Sequence, residues 1–412
     1  MRRAVPLLFL VVSCAGPTPL ADGGAPTDAA DVTDGRPTPP SSDAGTPSDA
    51  GLDEDAGLPP SSDCPPGEGR LAVTEVRGSI EDGAEIVVCG DLFGTQGPNI
   101  LLFDDMEGRE GGAAVAADDP VIGAWTDPGG LYADDAGRSG SGAMVVNDTT
   151  DTGGRGVSST VGLVDPSGRF GLRHFDEVFL HLSIRDLGDF PGNGSSPTMF
   201  SSDSSAKDVW MMFGGRGDNY EYSCRTECNG HDLVFATHTG RGSFKTDGNN
   251  TRSRWWLPDF WQFQQWNTMS TYLRIDPERP YEASRGVFEH VAAGSGYTRS
   301  DYEGQILQEL AGLPPVWDRL KVGAWYRGAG DVRRVVDDVY IAIGPGAAAR
   351  VEIANAPRIE DATRVAVSTA HGWSSDRIEA TVRLGDLDRS EPLYLFVVTA
   401  DAERSAGSLL TL

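Results

Sequence analysis

The 412-residue sequence is short of positive charge, of long apolar runs and of helical periodicity, and each shortage excludes something. Thirty-four Lys and Arg stand against 61 Asp and Glu, a formal charge of −27. Such an excess repels polyanions from the molecule as a whole, which argues against nucleic acid or an anionic membrane surface as the main partner. A polyanionic polysaccharide would need a local basic patch. The apolar run Val5–Val12 is too short to cross a bilayer as a helix. Only one or two segments carry a pattern suited to a helix. Short alternating runs broken by Gly, Pro, Asn and Asp fill residues 64–412, so the expected fold class is all-β, long enough for two or more domains. His231, His238, His290 and His371 show no metal-ligand spacing, and no zinc site is expected.

The first residues, MRRAVPLLFLVVSCAG, place two arginines before the apolar run, then Ser13 and Cys14. They resemble a bacterial lipoprotein signal with the lipobox Val11-Val12-Ser13-Cys14, which implies cleavage before Cys14 and a lipid on its thiol. An ordinary secretory signal with an incidental cysteine is the alternative. Ala15 stands where an inner-membrane retention signal would have aspartate, so the resemblance implies the outer membrane of a Gram-negative envelope. Residues 15–63 are Pro, Asp, Ala, Gly, Ser and Thr, with DAG recurring at Asp43, Asp49 and Asp55. With almost no large apolar side chains such a segment cannot offset its ordering entropy, and it reads as an acidic, self-repelling, disordered tether. With Cys14 lipidated, four cysteines remain in an exported protein. Cys224 and Cys228 share one loop, CRTEC, which leaves Cys64 to join Cys89; a metal–thiolate site is the competing reading, without a nearby Cys/His set to support it.

The stretch Trp261–Asp276, WQFQQWNTMSTYLRID, separates into two faces when read with a period of two. Trp261, Phe263, Met269, Leu273 and Ile275 form a core face interrupted by Gln265, Asn267 and Thr271. Gln262, Gln264, Trp266, Tyr272 and Arg274 lie on the other, with Thr268 and Ser270. In Val178–Asp186 the core set is Val178, Leu180, Leu182 and Ile184, which turns Phe179, His181, Ser183 and Arg185 away. In RLKVGAWYR, Leu320, Val322, Ala324 and Tyr326 facing in would turn Lys321, Trp325 and Arg327 out. These outward residues make a polar, aromatic, locally basic set of the kind that binds sugars, with rings stacking on aromatic faces and amides and cations holding hydroxyls or carboxylates. Burial of the tryptophans against loops or a neighbouring domain is the alternative.

Two family resemblances organise the body. Residues 71–94, a strand, a turn at Asp82-Gly83 and a strand running into Gly90-Asp91-Leu92-Phe93-Gly94, resemble the opening of an IPT/TIG immunoglobulin-like domain. The resemblance implies glycines at positive φ and a phenylalanine plugging a sandwich. Arg350–Leu412 resembles the later strands of the same fold. The expected organisation is residues 64–100 and 347–412 as parts of one Ig-like domain, or two separate pieces, around a larger domain at 101–346. That middle segment resembles the concanavalin A-like jelly roll of laminin-G and polysaccharide-lyase type, carried by FDDMEG at Phe103, the tryptophan-led stretch above, GVFEHVAAG at Gly286, RLKVGAWYRG at Arg319 and VDDVYI at Val336. It implies a first strand paired with the last and a concave outer face on one of two packed sheets.

What the jelly-roll resemblance implies for function is non-catalytic binding of a polysaccharide or envelope glycan. A lyase using His181, Arg185, Gln264 and Tyr272, or a hydrolase, is the enzymatic alternative, although R-x-E-L-R, Q-I-H and E-x-D-x-E signatures are lacking. A spacer or adhesin subunit with protein partners is the architectural one. If first and last strands pair, Asp104, Asp105 and Glu107 approach Asp337 and Asp338, a carboxylate set suited to a structural Ca²⁺.

Overall fold

The computed structural model describes residues 64–65, 69–138, 140, 142–146, 159–162, 176–187, 206–213, 232–238, 241–247, 252–259, 261–262, 264–280, 282–306, 317–326 and 333–411. Residues 62–412 make one compact unit, and its described residues are strands and turns with a single 3-10 turn at Ile359–Asp361. The lipobox, the tether, the Cys224–Cys228 pair and Arg327 lie outside the described residues.

The larger part is a jelly-roll β-sandwich of two antiparallel sheets. The eight-stranded sheet contains β3 (Ile100–Asp104), β4 (Leu131–Ala133), β5 (Ala143–Val145), β7 (Glu177–Leu187), β12 (Asn267–Arg274), β13 (Ser284–Ala292), β14 (Gly296–Gly304) and β16 (Arg333–Ile343). Its order is β14-β13-β12-β7-β16-β5-β4, with β3 also beside β16. The first strand therefore pairs with the last, Phe103 opposite Tyr340 and Leu102 opposite Ile341. The six-stranded sheet contains β6 (Ser159–Gly162), β8 (Ala206–Phe213), β9 (Asp232–His238), β10 (Arg241–Asp247), β11 (Arg252–Asp259) and β15 (Trp317–Tyr326), in the order β11-β10-β9-β8-β15-β6.

Alternation builds the core between these sheets. Val178, Leu180, Leu182 and Ile184 of β7 meet Met269 and Leu273 of β12, Val336 and Ile341 of β16, and Leu320 and Val322 of β15, all essentially inaccessible. Each such side chain contributes about 1.5–3 kcal/mol on burial.

The stretch around Trp261 differs from the expected single strand. Pairing begins only at Asn267, because Gln264 takes a left-handed φ of 61° and closes a turn. Fully buried Asn267 is the plug of that turn. Its Nδ2 donates to the Gln262 and Gln265 carbonyls at 2.7 and 3.0 Å, and its Oδ1 accepts from the Gln262 N–H at 2.8 Å. A polar interruption of a core face is thus explained by backbone groups that need partners. Trp261 and Ile275 still reach the core.

The chain ends share a seven-stranded sheet. It contains β1 (Ala72–Gly78), β2 (Glu85–Asp91), β17 (Arg350–Ala354), β18 (Val365–Trp373), β19 (Arg377–Thr381), β20 (Tyr394–Val398) and β21 (Ser408–Leu409), ordered β1-β2-β19-β18-β17-β20-β21. The chain leaves this sheet after β2 and re-enters at β17. Strand β18 pairs with β17 through Val365–Ser368 and with β19 through Thr369–Trp373, joining the two halves. Phe93 is fully buried in the core of this second module. Positive φ falls at Leu92 and Gly94, whereas Gly90 is needed for space: a Cβ there would run into the Ala72 carbonyl and the Phe93 ring. Cys64 is bonded to Cys89 of β2.

Candidate functional site

The jelly roll has two outer sheet faces, and they are built differently. On the eight-stranded sheet, Phe179 of β7, Tyr272 of β12, Val287 of β13, and Tyr340 and Ala342 of β16 pack with Ala347, Ala348, Val367 and Ala402 of the second module. Val291 of β13 packs with Ala354, Ile359, Val365 and Phe396. The face expected to be open is therefore an internal interface, and β12 is buried on both sides up to Arg274.

Charges around this interface are paired within the chain. Arg350 bridges Glu289 at 2.8 Å and Glu352 at 2.6 Å, and Arg404 does the same to both carboxylates at 2.8 Å. Tyr297 donates its hydroxyl to Glu289 at 2.6 Å. Burial alone would raise the Glu289 and Glu352 pKa values, but Arg350 and Arg404 overcome it and hold both low, Glu352 at about 2. On another side, buried Arg138 binds Asp338 at 2.9 Å, Asp386 at 2.7 Å and the Val365 carbonyl. Arg383 binds Asp105 at 3.3 Å and lies over the Phe103 ring.

These contacts relocate the expected site residues. His181, only 2 % exposed, hydrogen-bonds Ser270 through Nδ1, while burial and then Arg138 push its pKa down to about 3. Tyr272 is buried and donates to Glu177, with burial raising its pKa. Arg185 and Gln264 stand apart at the end of the sheet, where the Arg185 Nε donates to the Gln264 carbonyl. The lyase set is thus split between a closed interface and an exposed edge, and a polymer chain cannot meet all four residues. Gln262 lies in the turn held by Asn267, and half-buried Trp266 packs on Ala133, Ala136, Ala143 and Val335. Arg274 is exposed beside Glu177 at 3.3 Å.

The carboxylates expected to hold Ca²⁺ are likewise divided. Asp104 accepts from the Trp125 indole at 2.8 Å and the Met106 N–H. Asp337 accepts from the N–H groups of Arg138 and Asp338. Asp105 and Asp338 serve Arg383 and Arg138, and Glu107 accepts from the Gly142 N–H. Among the described residues no three His, Cys, Asp or Glu side chains converge as metal ligands.

The outer face of the six-stranded sheet follows from backbone register. Residues directly paired across antiparallel strands share a face. Leu320 and Val322 face the core, and they pair with Met211 and Val209. Backbone pairing aligns Thr160, Lys321, Trp210, Val234, Lys245 and Ser253 in one row across the sheet, out of step with Leu320 and Val322. The neighbouring row is Trp325, Lys207, Ala236, Ser243 and Trp256. The pairing of β8 shifts twice here, between Lys207 and Val209 against β9 and between Val322 and Trp325 of β15, where Gly323 takes a φ of 74°, so that Lys207 aligns with both Ala236 and Trp325. Lys321 and Trp325 were legible in the sequence as candidates. Trp210, Trp256, Lys207 and Lys245 were not, because their alignment depends on pairings between strands distant in sequence.

No protein-family model and no curated protein sequence matches the chain. Solved structures with similarity include a PL-14 alginate lyase from Aplysia kurodai, at 12 % identity and TM-score 0.34, covering 49 % of this chain and 82 % of that one. Lectin II from Ulex europaeus has 10 % identity and TM-score 0.31, covering 52 % and 92 %. A carbohydrate esterase from the Shiga toxin-encoding bacteriophage phi24B has 13 % identity and TM-score 0.32, covering 60 % and 100 %. Similarity at this level transfers neither a residue nor an activity.

Proposed function

We propose that the protein binds carbohydrate without turning it over, on the outer face of the six-stranded sheet, and that a lipid on Cys14 tethers it to the outer membrane through the 15–63 linker. The observation carrying this reading is the alignment of Trp210, Trp325 and Trp256 with Lys321, Lys245 and Lys207 in two adjacent rows. Flat indoles offer stacking platforms for pyranose rings, and cations between them hold hydroxyl or acidic substituents. In this reading the second module is one Ig-like domain of IPT/TIG type, made from both chain ends, whose work is to cover the other sheet.

The test is retention on immobilised polysaccharides, comparing the full chain with Trp210→Ala and Trp325→Ala. Each variant is expected to keep its melting temperature and lose about ten-fold or more in affinity, the scale of a contact that matters in a binding site. Unchanged retention in both would remove the reading. An architectural role, as spacer or adhesin subunit, is favoured by the interface that occupies the His181 face. It predicts no glycan retention at all.

A further inference from the structure

At one end of the eight-stranded sheet a single row of residues is charged across four strands. Glu177 of β7 pairs with Arg274 of β12, Arg274 with Arg285 of β13, and Arg285 with Glu303 of β14. In the next row inward, Phe179, Tyr272 and Val287 lie under the second module, and Ala402 packs on them. The cover ends there. The Asp401 carbonyl accepts from the Arg285 Nη1 at 3.3 Å, and Arg274 is exposed. Like charges directly opposite on neighbouring strands destabilise a sheet, and the Arg274–Arg285 pair is compensated only loosely from within the chain. Arg274 stands 3.3 Å from Glu177, whereas Arg350 and Arg404 hold their carboxylates at 2.6 to 2.8 Å. Among the described residues neither Arg285 nor Glu303 makes an ion pair, although they are directly opposite each other.

This row lines a cleft of about 720 Å³, whose other wall is the β12–β13 connection with Asp276 and Arg279. Asp276 shapes that wall: its carboxylate accepts from the N–H groups of Glu278 and Arg279 at 2.8 and 3.0 Å and lies 3.4 Å from the Arg279 guanidinium. We infer that the cleft binds a zwitterionic small molecule of the amino-acid class, with its carboxylate between Arg274 and Arg285 and its ammonium at Glu303. Both signs of charge stand on the walls, three arginines and four carboxylates. A polyanion would be repelled by the acids and a bare cation by the paired arginines, while a ligand carrying both charges a few ångströms apart is attracted by each. Neighbouring strands lie about 4.8 Å apart, so the row offers an anion seat and a cation seat side by side. Guanidinium forks suit a carboxylate, and filling the seat between two of them relieves their repulsion. The cleft is of the size that small-ligand sites have, with room beyond the two charged groups for a side chain. It is separate from the six-stranded sheet and does not depend on the carbohydrate reading.

The experiment screens the common L-amino acids singly against the full chain by saturation-transfer NMR. The best binder is then compared with its N-acetyl derivative, which lacks the cation, and its carboxamide, which lacks the anion. Each derivative should bind about ten-fold or more weakly than the free amino acid. Arg274→Gln/Arg285→Gln should lower affinity for the amino acid by roughly ten- to a hundred-fold, the scale of lost charge-assisted hydrogen bonds. Its melting temperature should not fall, because a like-charge pair is removed. Glu303→Gln should weaken the free amino acid by about ten-fold and leave the N-acetyl derivative unchanged, a pattern that misfolding does not produce. No binding by any amino acid, or binding that survives Arg274→Gln/Arg285→Gln, would overturn the inference. An N-acetyl derivative that binds as tightly as the free amino acid would overturn it too, leaving an anion site only.

Discussion

The two outer faces of the jelly roll carry the same kinds of residue and serve opposite ends. The eight-stranded face presents Phe179, Tyr272, Tyr340 and His181, and the second module covers it. The six-stranded face aligns Trp210, Trp325 and three lysines. On the covered face Arg138, Arg350 and Arg404 have carboxylates of their own chain within 2.9 Å, so their charge is spent internally. On the six-stranded sheet, backbone pairing aligns Lys321, Trp210 and Lys245, the set that the carbohydrate-binding reading uses.

The largest effect expected from breaking this contrast is on the covered face. Arg350→Ala leaves Glu289 and Glu352 buried with one cation fewer and should cost about 3–5 kcal/mol of stability in denaturant unfolding. Lys321→Ala, by the same measurement, should change stability by less than about 0.5 kcal/mol.

Acid should act next on two buried histidines of the eight-stranded sheet, His181 on the covered face and His290 on the core side beside Asn267 and Trp261. His181 and His290 have folded pKa values of about 3, below the ordinary 6.5, because burial disfavours the charged ring. The unfolded chain takes up protons that the folded one refuses, so stability falls as pH drops from 6.5 toward 3, by up to about 1.4 kcal/mol per pH unit for each histidine. Glu352, held at about 2 by Arg350 and Arg404 against burial, adds to the loss as pH falls below 4.5. His181→Gln should flatten the slope between pH 6.5 and 5 by about one histidine's share in pH-dependent unfolding; an unchanged slope would place that histidine outside the closed interface.

Tyr272→Phe removes only the hydroxyl that donates to Glu177 and should cost about 1 kcal/mol, without affecting glycan retention. The smallest effect expected is that of a chelator. Since Asp104, Asp105, Asp337 and Asp338 already have protein partners, EDTA should leave the melting temperature unchanged.

Much of the fold was legible because it rests on local alternation. Val178, Leu180, Leu182 and Ile184 could be assigned to the core from β7 alone, and Met269 and Leu273 from β12. The closure of the opposite face was not legible, since Phe179 meets Ala347, Val367 and their neighbours through contacts across more than 150 residues of chain. Polar alternation looked like solvent exposure, whereas Ser270 and Ser183 are buried with partners in the sheet itself: His181 for the first, Thr268 for the second. The alignment of Lys207 and Lys245 with Lys321 was hidden for a related reason. Lys207 reaches its row through a bulge, and a period of two cannot foresee an inserted residue.

The most direct measurement is amide hydrogen exchange on the full chain with and without saturating polygalacturonate. Protection concentrated in β8, β10 and β15, with β7 and β12 unchanged, is the predicted result. Protection in β7 and β12 with none in β8, β10 and β15 would contradict the assignment of the ligand face to the six-stranded sheet.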